Sequence, residues 1–523
     1  MNALALKMLL LTEVRLRMRR TGTLVAVLAL IVLTWLMVGD PARGQALLVV
    51  GKVRVAYSSS CLALGSAGLG GLFLGLAGFY LVRGRMSEDA RSGAGAVLAA
   101  TQVSNAVFLF GRWLGAVAYL CGLLAIFLLT MLVLHAVRGD GPIQLFVYLQ
   151  AFVLTLLPLV FFTAAMAVLC DAWAPLMGKR GDVLYFVFYM AQMTVPIIAT
   201  TEGAGWSPLL LIDFSGLGAT VMSLRSVIHT NGFVLGGGEF DPALPALMLP
   251  QWLWTVQMGL TRIGCTLFAM LPLLPALLVF HRFAPDRVKV RSGGVGGWSR
   301  VMMMSRLFRP LTRLVRPLFG VAARVPGIAG YALAVLALTF ASNPAAIAAA
   351  LGLLLAGALA PSSALGGLTI GAIALWGILV SDVSVRDRAH DVDAMSAAVP
   401  GGGERRFAAQ LLASCLLALV FTAPVLLRWL LIEPVRGSAL LTGVLMLAAA
   451  ASLLGRLSRT PRAFLALFLF GLYVATQVVK SPSWDVVGFN GVATMQSVAI
   501  QALAGALLLA LGLWHEKWRG ARN

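Results

Sequence analysis

The chain reads as long apolar runs broken by short polar or charged segments. A helix crosses the hydrocarbon core of a bilayer with about 20 apolar residues. On that measure the pattern predicts spans at residues 22–38, 62–82, 107–137, 145–170, 183–200 and 263–281. A second set follows at 344–360, 364–381, 407–431, 437–454, 463–479 and 497–514. Ahead of the first run, Leu4, Met8, Leu11, Val14 and Met18 recur at spacings of three and four, with Lys7, Arg15, Arg19 and Arg20 on other faces. That periodicity predicts a helix lying in the membrane interface, because Arg15, Arg17, Arg19 and Arg20 are costly inside the bilayer. The fold expected is all-α: a polytopic membrane protein with about 12 transmembrane helices in two parallel six-helix repeats.

Composition strengthens this picture. Of 523 residues, 60% are hydrophobic and 11% charged, against roughly 25% charged in soluble domains. The formal charge of +20 does not point to nucleic acid, because the cations flank apolar runs and no folded basic module accompanies them. They read instead as topology determinants and contacts for anionic lipid. With both termini in the cytoplasm, basic residues gather in residues 1–20, 83–91, 179–180, 282–324, 386–406, 456–462 and the tail. The outer loops keep only Arg43, Lys52, Arg54, Arg138, Arg225, Arg436 and Lys480. This bias predicts an even number of spans in a bacterial-type inner membrane. The first run is long for a signal peptide and lacks a small-residue cleavage site, so it reads as an uncleaved span. Five cysteines, Cys61, Cys121, Cys170, Cys265 and Cys415, sit in or beside apolar stretches without metal-ligand spacing.

The expected organisation is a first six-span half (1–281), a basic cytoplasmic linker (282–326) and a second six-span half (327–523). An interfacial helix is predicted near 301–315. Each half places acidic and basic residues together at the end of its second span. In the first these are Arg83, Arg85, Glu88, Asp89 and Arg91; in the second, Arg386, Asp387, Arg388, Asp391 and Asp393. A second echo precedes the last span of each half. Asp213, Gly216, Ala219, Thr220, Met222 and Ser223 match Asp485, Gly488, Ala493, Thr494, Met495 and Ser497, with Trp206 and Trp484 upstream. Echoes at corresponding positions imply an internal repeat about an axis along the membrane normal.

No phosphate loop of the Gly-x-x-x-x-Gly-Lys-Ser/Thr kind is present, so the chain has no recognisable nucleotide site. His135, His229, His281, His390 and His515 are scattered singly. Ionisable residues are nearly absent from the spans, with Arg112, Arg262 and Arg428 read as lying at span ends. Asp171 and Asp182 flank a turn with Lys179 and Arg180 that reads as a solvated loop. Gly71, Gly75 and Gly78 suit close helix packing.

The layout resembles the transmembrane subunit of an ABC-2-type (type V exporter-like) ABC transporter. That resemblance rests on an elbow helix (4–20), a charged segment after span two (83–104) and an outer element before span six (201–261, with Asp213 and Gly216). The second half offers 331–342 as elbow, 386–406, and 481–496 with Asp485 and Gly488. The resemblance implies no cofactor on this chain, with ATP and Mg on a separate ATPase subunit, present in two copies, that docks on the charged segments. One chain would supply both halves of the pathway, or two chains would pair. The alternatives are a membrane-embedded lipid- or glycan-modifying enzyme, with Asp213, Glu239 and Asp241 as its acids, and an assembly scaffold.

Overall fold

The structure is a computed structural model describing residues 2–41, 44–201, 206–228, 233–251, 254–281, 308–389, 402–477 and 481–520. The chain divides into two compact units, Met1–Gly294 and Val295–Asn523.

The first unit begins with α1 (Asn2–Met18) and α2 (Thr21–Met37), bent by 71° to one another. Strands β1 (Gln45–Val50) and β2 (Val53–Arg54) follow, then α3 (Ser59–Val82) and the short helices α4 (Arg85–Arg91) and α5 (Ala94–Ala100). Next come α6 (Asn105–Arg138) and α7 (Leu145–Ala172). At 34 residues α6 is about 51 Å long, more than a hydrocarbon core requires. The order continues with α8 (Lys179–Gln192), α9 (Val195–Thr201), α10 (Leu217–Ile228), β3 (Phe233–Glu239), α11 (Val256–Phe268) and α12 (Leu273–Val279). Serine and threonine caps fix three helix starts. Ser58, Ser104 and Thr255 accept from the backbone N–H of Cys61, Val107 and Met258.

Successive turns lie at alternate ends of this unit. At one end the strands form a sheet in the order β2-β1-β3, with β1 antiparallel to both neighbours. Beneath it Leu47, Tyr57, Leu62, Phe127, Tyr148 and Phe152 share one apolar core. Tyr57 donates from its hydroxyl to the Gly39 carbonyl (2.8 Å) and accepts from Leu47 N–H (3.1 Å). Its own N–H donates to Asp140 at 3.0 Å. Burial pushes the Tyr57 phenol up to about 12.

The second unit has a 3₁₀ turn at Arg309–Val315 and α13 (Arg316–Arg324), then α14 (Gly327–Ser342) and α15 (Pro344–Leu359), bent by 103° at Asn343. It continues with α16 (Leu365–Val380), the one-turn α17 (Arg386–Ala389), α18 (Gly402–Ile432), α19 (Pro434–Ser458), α20 (Arg462–Gln477) and α21 (Met495–Gly520). The expected interfacial helix falls partly outside the described residues. Arg309–Val315 is 3₁₀, and the helix proper follows it.

Among the described residues eight helices are long and apolar enough to cross a membrane, or up to ten if each bent pair is one span. The molecule is therefore a helical, multi-pass membrane protein. The expected span at 183–200 is broken. α8 stops at Gln192, Met193 and Thr194 make turn bonds, and α9 restarts beside Pro196, which has no N–H to continue the ladder. The expected span at 463–479 corresponds to α20, which has 16 residues. The apolar run at 344–360 is the second arm of a bent pair.

Candidate functional site

The charged segment after α3 is built from the membrane outwards. Arg83 is fully buried, with its guanidinium 5.2 Å above the Phe79 ring. Its Nε lies 3.0 Å from Asp182 and 3.6 Å from Asp171, and its Nη2 donates to the carbonyls of Leu176 and Gly178. Asp171, at the end of α7, also accepts from the backbone N–H of Gly84 (2.8 Å) and Arg85 (3.0 Å). It thus satisfies orphan donors at the start of α4 from another helix. Gly84 has φ +89°, which lets the chain turn from α3 into α4. Asp171 and Asp182 are consequently buried rather than solvated. A cation held at the end of an apolar helix requires them there.

A second ionic knot joins α4 to α1 and α6. Arg112 reaches Glu13 with one nitrogen and Asp89 with the other. Glu13 also pairs with Arg17 (2.6 Å) and Arg85 (3.4 Å), and Asp89 with Arg85 (3.4 Å). Glu13, Arg17, Asp89 and Arg112 are all buried. Close approach of α1 depends on α6 having a glycine there. A Cβ on Gly115 would sit 2.5 Å from Glu13 Cβ. Outside the knot, half-exposed Glu88 bridges Arg85 (2.9 Å) and Arg20. Arg91 closes α4.

The glycine face of α3 receives α8. Tyr185 donates to the Gly75 carbonyl and Tyr189 to that of Gly71, and a Cβ on Gly75 would meet the Tyr189 ring. Close packing through Gly71, Gly75 and Gly78 is what the structure shows.

In the second unit the corresponding sequence segment is more open. Asp387 accepts from Gln410 (3.1 Å) and Tyr331 (3.4 Å) and lies 4.0 Å from Arg406. Arg386 pairs with Asp382 and donates to Thr339, both at 3.2 Å. Arg388 is exposed. Arg456 donates to Gln410 (2.8 Å) and pairs with buried Glu516 (2.5 Å). Asp391 and Asp393 lie outside the described residues.

The two aspartate-glycine echoes are both tight turns. In each, the glycine N–H donates to the aspartate carbonyl at 3.3 Å, and Gly216 and Gly488 have φ of +75° and +72°. The Asp213 carboxylate accepts from Ser215 Oγ and the N–H groups of Gly216, Gly218 and Ala219, capping α10. Arg262 clamps this turn, donating to the Asp213 carbonyl (2.6 Å), Leu154 O (2.7 Å) and Thr155 O (3.3 Å). The Ser215 carbonyl lies against Gly71, midway along α3. The segment before α10 therefore dips to the middle of the unit and returns. Asp485 accepts from Asn490 and Val492, and Arg436 donates to the Gly488 and Phe489 carbonyls.

Glu13, Arg112, Asp171, Asp182, Arg262, Gln410, Arg456 and Glu516 carry these sites although the sequence reading gave them no such role. The signal was a cation inside an apolar run. Arg112 and Arg262 each require a buried acid or carbonyl set. Glu239 ends β3, and Asp241 makes a local turn with Ala243 N–H. Among the described residues no group of His, Cys, Asp and Glu could hold a metal ion. No family model, no curated protein and no solved structure matches this chain.

Proposed function

We propose that this chain is the transmembrane subunit of an ATP-binding-cassette exporter, moving a lipid, peptide or other amphipathic substrate outward with a separate ATPase subunit. The observation that carries this reading is the mounting of α4. Buried charges tie it to α1 and α6, and Asp171 ties its first turn to α7. A push on this short charged helix therefore moves these three membrane elements together, as a motor on the cytoplasmic side requires. Packed networks with fixed partners transmit such displacements.

Both termini then lie in the cytoplasm of a bacterial-type inner membrane, and the chain counts as twelve spans in two parallel six-helix repeats. The order of elements supports the repeat. Each unit has a bent helix pair, a span, a short charged helix, two long helices, a shorter helix and an aspartate-glycine turn before its end. The enzyme reading loses its best acid, because four donors occupy the Asp213 carboxylate.

The test is purification of the intact chain with its membrane partners. A nucleotide-hydrolysing subunit is expected to co-purify. Reversing the accessible charges, Glu88→Lys with Arg388→Glu, is expected to leave the fold intact and uncouple ATP hydrolysis from transport. No associated ATPase, or unchanged coupling in the double variant, would overturn the proposal.

A further inference from the structure

The membrane-facing surface of the first unit is interrupted by a groove of about 630 Å³ between α1, the first turns of α6, and the α11–α12 junction. That volume is in the range of small-molecule sites. Leu6, Val107, Phe110, Leu271, Leu274 and Leu277 line it, and every lining side chain is apolar. The groove lies where the helical ladder is interrupted between Phe268 and Leu273, Pro272 having no N–H. It lies at the same end of the unit as the Glu13–Arg112 knot, since Phe280 beyond α12 stacks on Phe108 at 5.4 Å.

Two features identify the occupant. The groove opens onto a continuous apolar belt, with Ile263, Leu267, Leu271, Leu274 and Leu278 all well exposed. What reaches it from that side is hydrocarbon. Its other wall is α1, whose one acid, Glu13, is consumed in the knot, while Lys7, next to the lining residue Leu6, is exposed together with Arg15 and Arg19. An uncompensated cationic helix in the interface attracts anionic headgroups.

We infer that the groove holds one acyl chain of an anionic phospholipid, with its headgroup against Lys7. Assignment to the cytoplasmic leaflet rests on the orientation proposed above; occupancy by the lipid does not. The bound lipid would pack against α1 and brace the knot from its membrane side.

The full chain reconstituted in vesicles of mixed phosphatidylglycerol and phosphatidylcholine tests this. Each lipid in turn carries a photoactivatable group at mid-chain. With the phosphatidylglycerol probe, labelling is expected to concentrate several-fold at residues 106–110 and 267–277 over the exposed α7 positions Leu145, Phe146 and Leu149. Lys7→Glu is expected to lower that labelling and leave the phosphatidylcholine probe unchanged. Even labelling of all lipid-facing helices would overturn the site. Concentrated labelling that ignores headgroup charge and Lys7 would overturn the assignment to anionic lipid. No ATPase is present in the assay, so its outcome is independent of the exporter reading.

Discussion

The charged segment of the first unit is anchored by buried ion pairs, whereas that of the second is half open. Arg83, Asp89, Arg112 and Glu13 are buried; Arg112 pairs directly with Glu13 and Asp89, and Arg83 with Asp171 and Asp182. Arg386, Asp387 and Arg388 remain partly or fully exposed, and neutral groups on Tyr331 and Gln410 do much of the holding. A buried charge pair tolerates little rearrangement, because separating the partners leaves each desolvated. Hydrogen bonds at a wet boundary are exchanged for water at little cost. The first segment is thus built as a rigid mount and the second as an adjustable one.

Removing one cation from each segment gives the largest contrast. Arg83→Met leaves Asp171 and Asp182 buried without their partner, and unfolding of the purified chain should show a loss of about 3–5 kcal/mol. Arg386→Met, facing the partly exposed Asp382, should cost less than about 1 kcal/mol. Equal losses would erase the distinction.

The aspartate turns should differ in the same sense. Asp213→Ala removes an acceptor from four donors and leaves Arg262 without its carboxylate, so a loss of about 3 kcal/mol or more is expected. Asp485→Ala removes two backbone contacts and should cost about half as much.

Glycines extend the comparison to the helices. Gly75→Ala on α3 forces the Tyr189 ring to move and should cost about 1–3 kcal/mol. Gly371→Ala on α16 meets open space and should be neutral or stabilising by up to about 1 kcal/mol. The smallest effect belongs to the far end of the first unit. Burial pushes the folded Tyr57 phenol up to about 12 from its ordinary value of 10.0. Its contribution to stability is complete below pH 10 and falls away as pH rises towards 12. Tyr57→Phe should remove that decline from the pH profile of thermal unfolding.

Most long helices were legible in the sequence, because hydrocarbon imposes one rule on length and composition. The runs at 62–82, 107–137, 145–170 and 437–454 fall on α3, α6, α7 and α19. The run at 183–200 carries Tyr185, Tyr189, Gln192 and Thr194 and is less apolar than the run at 145–170, and its break coincides with Pro196 and with Tyr185 and Tyr189 docking on α3. The apolar pattern puts Arg262 at a span end, whereas it lies within α11. Its carbonyl partners on α7 and at Asp213 are distant in sequence and appear only in the fold. Glu13 was invisible for the same reason. An acid one turn before Arg17 on a cation-rich helix looks solvated until α6 brings Arg112 to it.

The pairing of β1 with β3 joins Gln45 to Glu239, near opposite ends of the first unit. At about 5–20 residues per second, a ribosome needs roughly 10–40 s to travel between them. Throughout that interval β1 stands with one side of its backbone unanswered, and a bare strand edge recruits other chains. Synthesis order thus keeps the sheet open until most of this unit has been made, with only α11 and α12 still to follow, and a nascent chain stalled before Phe233 carries that open edge.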